Sequence, residues 1–73
     1  MTRSELKTKM HGLLNTRMYD NKEFYIDDVK YKVSKNKIYM RSEVFQQNFY
    51  IAIDCFTDKE LIVLINIFER ELF

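Results

Sequence analysis

Proline is absent from this chain, and glycine, cysteine and histidine occur once each, as Gly12, Cys55 and His11. Each scarcity removes a class of chemistry. A phosphate-cradling loop needs several residues without a Cβ, so one glycine excludes it. A lone cysteine closes no intrachain disulfide, and with no histidine near it in sequence Cys55 is expected to be a small buried hydrophobe, not a catalytic thiol. His11 has no second histidine or cysteine at ligand spacing. Its helical neighbours Lys7 and Asn15 are not metal ligands, so a surface histidine is expected. The Asp27-Asp28 pair lacks the further oxygen ligands at regular spacing that a hard cation requires and is better explained by turn chemistry. No catalytic residue, metal or cofactor is therefore expected.

Long hydrophobic runs are also missing. The longest purely apolar stretch, Leu61 to Ile65, is far short of the ~20 residues of a membrane span. No basic segment followed by an apolar stretch marks a signal peptide. A cytoplasmic protein without membrane contact is expected. The composition is 47% hydrophobic and 15% aromatic, which suits an ordered core and not a disordered chain. Seventy-three residues make one domain, residues 1–73, near the lower size limit at which a core holds without staples.

What the chain does have is strict alternation of apolar and polar residues from Glu23 to Asp54, the period-two signal of half-buried strands. Four such runs predict an antiparallel meander. A turn at Asp27-Asp28 sets Ile26 against Val29 and Phe24 against Tyr31. A turn at Lys35-Asn36 then sets Val33 against Ile38 and Tyr31 against Met40. A turn at Gln46-Gln47 pairs Val44 with Phe49, Ser42 with Ile51 and Met40 with Ile53. Parity survives all three turns, and it matters because a one-residue slip would send a whole apolar set to water.

Helices flank the meander. Thr2 or Ser4 can cap a first helix running to about Met18, with Leu6, Met10, Leu13, Leu14 and Met18 at helical spacing, while Gly12 marks close packing or a fraying point. Tyr19 to Lys22 reads as a polar connector. Thr57-Asp58-Lys59-Glu60 has capping-box spacing and predicts a second helix from about Asp58 to Leu72, with Leu61, Leu64, Ile65, Phe68 and Leu72 on its sheet-facing side. The fold class is thus α+β: N-terminal helix, four-stranded antiparallel meander, C-terminal helix, both helices on one face of the sheet. Ile62, Val63 and Ile67 fit neither the inward stripe nor the polar side. They pack beside the first helix or serve self-association as a homodimer.

With the helices on one face, the other displays Tyr25, Lys30, Lys32, Tyr39, Arg41 and Tyr50, with Glu23, Glu43 and Asp54 around them. The expected register places Tyr25, Lys30, Arg41 and Ala52 in one row and Glu23, Lys32, Tyr39 and Asp54 in the next. Tyrosines interleaved with cations suit a protein interface, and equally suit stacking on bases beside phosphate contacts, with the basic first helix contributing. Solubility alone is the competing explanation, because Tyr is a good strand former and Lys/Glu cross-pairs keep a sheet in solution. Net charge is +1, yet residues 1–41 hold ten Lys/Arg against five Asp/Glu and residues 42–73 hold two against six. Such asymmetry suits an electrostatically steered partner or head-to-tail self-association.

A helix–strands–helix order resembles double-stranded-RNA-binding domains in topology. Thr57-Asp58-Lys59-Glu60-Leu61 is net acidic where those domains have a basic helix start, and a fourth strand is expected here, so no family is assigned. Residues with AT-rich codons (Phe, Tyr, Met, Ile, Asn, Lys) make up 35 of 73, as in low-GC bacteria and their phages, whose small inhibitors of host enzymes are similar in size and build. The leading expectation is accordingly a non-catalytic protein-binding module, a phage- or mobile-element-encoded inhibitor that occludes a host protein. Nucleic-acid binding by the same face is the alternative.

Overall fold

The computed structural model describes residues 1–71, with the side chain of Glu71 left aside. Helix α1 (Arg3–Asn15) is followed by strands β1 (Glu23–Ile26), β2 (Val29–Ser34), β3 (Lys37–Ser42) and β4 (Gln47–Ile51). A 3-10 turn (Ile53–Cys55), helix α2 (Asp58–Asn66) and a π-helical turn (Ile67–Glu71) complete the order. The strands form one antiparallel sheet in the order β1-β2-β3-β4. This is the α+β architecture expected from the alternation and the caps.

Both helices start on a reciprocal cap. The Thr2 hydroxyl accepts from the Glu5 amide at 3.2 Å while the Glu5 carboxylate accepts from the Thr2 amide at 3.1 Å. Thr57 and Glu60 repeat the arrangement at 3.1 and 2.8 Å. Each box satisfies two amides that have no partner inside the helix.

The first two hairpins have the expected register, Phe24 opposite Tyr31 and Ile26 opposite Val29, then Val33 opposite Ile38 and Tyr31 opposite Met40. Asp27, Asp28, Lys35 and Asn36 all have positive φ, the requirement of a type I′ turn whose twist matches the strands it joins. The third hairpin differs. Met40 faces Phe49, not Ile53, and Ser42 faces Gln47, not Ile51. A two-residue turn at Gln46-Gln47 would put two glutamines at positive φ, whereas the loop formed, 43–46, needs it only at Gln46 (φ 52°). The slip is four residues, an even number, so every residue still in the sheet keeps its face, while Val44, expected inward opposite Phe49, lies in the loop and is 87% exposed.

One cluster contains the core: Leu6, Met10 and Leu14 of α1, Phe24, Val33 and Ile38 of the sheet, Ile53 and Phe56 of the connection, and Leu61, Leu64, Ile65, Ile67 and Phe68 near the C-terminus, with Tyr19. All its strand residues belong to the inward parity set. The helical segments reach that set through Phe68, 5.5 Å ring to ring from Phe24, and Leu14, which lines a small cleft with Ile38 and Ile51. This is what one shared sheet face requires.

Three side chains depart from expectation, Met18 and Tyr19 beyond the end of α1 and Cys55 in the 3-10 turn. Helix α1 stops at Asn15 and Arg17 turns to φ 62°, so Met18 points to solvent (55% exposed) and Tyr19, read as part of a polar connector, is buried at 4.7 Å from the Phe68 ring. Ile67, expected either to pack beside the first helix or to serve self-association, is 8% exposed and belongs to the core, as the first of the two requires. It opens the π turn, beside the fully buried Phe68. Cys55, expected buried, is exposed. Leu72, expected on the inward stripe, lies outside the described residues.

Gly12 is exposed, and a Cβ built on it meets nothing within 4 Å. Close packing therefore does not explain it. Gly12→Ala should stabilise the fold by about 1 kcal/mol and raise the thermal midpoint, and an unchanged or lowered midpoint would contradict this. Phe68→Ala, at a fully buried position, should remove ~3–5 kcal/mol. For a domain this small that is most of the stability, and the cooperative unfolding transition seen by circular dichroism should disappear.

Candidate functional site

The residues facing away from the core come from all four strands, since alternation puts every second side chain there. One row crosses the whole sheet: Glu23 opposite Lys32, Lys32 opposite Tyr39, Tyr39 opposite Tyr50. A step of two residues towards the Asp27-Asp28 turn brings the pairs Tyr25–Lys30 and Arg41–Asn48. All six residues expected on this face, Tyr25, Lys30, Lys32, Tyr39, Arg41 and Tyr50, are therefore on it. The cross-strand neighbours of three of them, Tyr39, Arg41 and Tyr50, change with the register of the third hairpin. Asn48 stands where Ala52 was expected beside Arg41, and Tyr50 stands where Asp54 was expected beside Tyr39.

That exchange alters the chemistry. Asp54 leaves the sheet for the 3-10 turn, where the Lys7 ammonium of α1 pairs with it. The hydrogen bond and charge of Lys7, with Arg3 and His11 adding positive potential, hold the Asp54 carboxyl below its usual range. In its place a tyrosine joins a tyrosine, Tyr39 and Tyr50 meeting edge to face at 6.0 Å between centroids. Lys37 Nζ stands 5.6 Å above the Tyr50 ring, a favourable cation–π contact.

The strands carry four cations (Lys30, Lys32, Lys37, Arg41) and one carboxylate (Glu23), all facing outward. Lys30 bonds that carboxylate diagonally at 3.3 Å. Among the described residues, Lys32, Lys37 and Arg41 have no carboxylate within ion-pair distance. Tyr25 and Tyr50 are 64% and 57% exposed, and Lys32, Ser34, Tyr39 and Asn48 line a shallow depression between them. At the β1 edge a second groove runs between Tyr25, Ile26 and Asp27 of the sheet and Lys59, Glu60 and Val63 of α2. Val63 and Ile62, at 37% and 49% exposure, remain on the surface.

The cations of α1 are committed elsewhere. Arg3 donates to Asp58 at 2.8 Å and to the carbonyls of Asp54 and Phe56 at 3.0 and 2.8 Å, and Lys9 reaches Glu69 at 3.4 Å. The positive first half of the chain and the negative second half thus meet within one molecule, helix against helix.

Alternation did not reveal the tip of the third hairpin. Val44 and Phe45 are 87% and 68% exposed, and Phe45 packs edge to face on Phe49 at 6.1 Å. Two adjacent apolar residues break the alternation, and that break is the signal a loop leaves. Among the described residues no three His, Cys, Asp or Glu side chains gather where a metal ion could be held, and no helix is long and apolar enough to cross a membrane.

Site and fold together define a small α+β domain with one sheet face committed to a core and the other open. Compared with protein-family models, curated proteins and solved structures, the chain finds no match in any of the three.

The Lys7–Asp54 pairing has a direct test. Because the folded carboxyl is depressed, its contribution to stability is present above the ordinary aspartate range and lost as pH falls through the folded value. Lys7→Met should raise the Asp54 titration midpoint, followed by NMR of the carboxyl carbon, and weaken the acid dependence of unfolding. An Asp54 midpoint that does not move would place the cause elsewhere.

Proposed function

We propose that this protein is a non-catalytic binding module whose open sheet face docks on an acidic surface of another protein. The observation that carries the reading is the composition of that face: three tyrosines among four cations and one carboxylate, which is itself engaged by Lys30. Tyrosine and arginine supply large contact area and directional bonds at modest entropy cost, and are enriched where binding energy concentrates. An inhibitor that occludes a site on a host protein is the form of this function that small size and AT-rich composition favour. A cytoplasmic setting agrees with the single cysteine.

A second reading, single-stranded nucleic acid on the same face, is favoured by one observation, the adjacent Tyr39 and Tyr50 rings with Lys32 beside them, which resembles a stacking platform. The ion pairing of Arg3, Lys7 and Lys9 weighs against it, because α1 then adds no basic surface for phosphates.

Affinity capture from a low-GC bacterial lysate with wild type and a Tyr39→Ala/Arg41→Glu variant decides the matter. The wild type should retain a protein that the variant loses, with both equally folded by circular dichroism. Retention of the same proteins by both removes this face from the function. The nucleic-acid reading requires a gel shift with single-stranded DNA or RNA whose log K falls by ~0.7 per phosphate contacted as log salt rises. No shift at low salt eliminates it.

A further inference from the structure

We propose that β4 is a homotypic dimerisation edge, through which two copies join their sheets into one of eight strands and exchange the Phe45 side chain. As the last strand in the sheet order, β4 has only β3 as a neighbour. Among the described residues no hydrogen bond reaches Gln47–Ile51 from its outer side. A row of unpaired amides and carbonyls is a template for another strand.

Charge selects the occupant. In a two-fold antiparallel pairing the central residue faces its own copy and every other residue faces the one equally far on the other side of the axis, so a strand without charges brings no like charges together in any register. Val44 to Ile53 is the longest stretch of this chain without a formal charge. The opposite edge, β1, is built the other way: it is one residue shorter, carries Glu23, and is flanked by Lys22 and by Asp27-Asp28. Such charges guard an edge against pairing, and β4 lacks them.

Geometry supplies the rest. Centring the axis on Phe49 pairs all five residues of β4: Phe49 with its own copy, Asn48 with Tyr50, Gln47 with Ile51. Partners then have equal parity, so the inward faces of both sheets stay on one side and the same outward-pointing backbone groups meet. Just past the two ends of the paired strands, the hairpin loop holding Phe45 of one copy comes beside the 3-10 turn that begins at Ile53 of the other. Ile53 borders a cleft where Leu14, Ile38 and Ile51 meet the polar His11, Asn36 and Lys37. The exposed aromatic of each hairpin tip thereby meets the apolar side of a cleft on its partner, twice, as an isologous contact requires. The contact relocates the self-association expected at Ile62, Val63 and Ile67, of which Ile67 is buried in the monomer. It is independent of what the open face binds.

Sedimentation of the full chain from low micromolar to millimolar concentration should show a monomer–dimer equilibrium. Phe45→Ala, at an exposed position that the monomer does not need, should raise the dissociation constant about tenfold or more. Phe49→Lys should be monomeric, and mixing it with Phe49→Glu should restore association. Should either charged variant fail to fold, Phe49→Cys in a Cys55→Ser background should form a disulfide-linked dimer under mild oxidation, whereas Ile62→Cys in the same background should not. A wild type that stays monomeric at millimolar concentration overturns the proposal. So does a dimer insensitive to Phe45→Ala, or a Phe49→Cys variant that does not cross-link.

Discussion

Everything in this domain depends on the parity of one sheet. A chain of 73 residues affords one core, and that core needs Phe24, Val33 and Ile38 on the same side. Three successive turns must each preserve the alternation, without a single glycine to help. Asp, Asn, Lys and Gln therefore occupy positive φ at the turns, where non-glycine residues cost about 1–2 kcal/mol each, less for Asn and Asp. Burial of the inward set offsets that strain. A slip of one residue would expose the set and bury Lys32 and Arg41, so the turns have no lower-energy alternative that keeps the core.

Parity is also what made the fold legible in the sequence, and it marks where legibility ended. Alternation distinguishes odd slips from even ones and nothing more. The first two hairpins carried a second signal, Asp27-Asp28 and Asn36, and their registers were readable to the residue. Around Gln46-Gln47 no comparable signal exists, and the third hairpin lay four residues from the expected register, with faces correct within the strands but Val44 and Asp54 outside the sheet. The six residues of the open face were placed correctly for the same reason, while their neighbours were not. The π turn was illegible on different grounds. A 3.6-residue period is assumed by any helical wheel, and from Ile67 onward the backbone departs from that period.

Charge asymmetry along the chain illustrates how a sequence feature changes meaning once folded. Read linearly, a basic half followed by an acidic half calls for a partner. In the structure Arg3, Lys7 and Lys9 answer Asp58, Asp54 and Glu69 across the α1–α2 seam. Arg3 and Asp58 are 40% and 57% exposed on their side chains, and such pairs contribute little stability each. Their effect is orientation: Arg3 meets the start of α2 and Lys9 the segment beyond its end, which sets the helices side by side in the same sense. What remains unneutralised is the sheet, where four cations face one carboxylate.

The apolar surplus follows from the same accounting. Two helices of 13 and 9 residues cannot cover an inward face four strands wide. Coverage is complete only at Phe24, Val33 and Ile38, which are 5%, 0% and 1% exposed, while Ile26, Val29, Tyr31 and Met40 are half-buried and cover gives out towards the β3–β4 tip. There Phe49 reaches 38% and Phe45 68%. Along the single cross-strand row Phe24–Tyr31–Met40–Phe49 the environment runs from interior to surface. A domain this small with neither disulfide nor proline would be expected to shorten or charge such a margin if it remained alone in solution. Here the uncovered margin coincides with the uncharged, unpaired edge, and one additional element laid along β4 would satisfy both its backbone and its aromatic side chains.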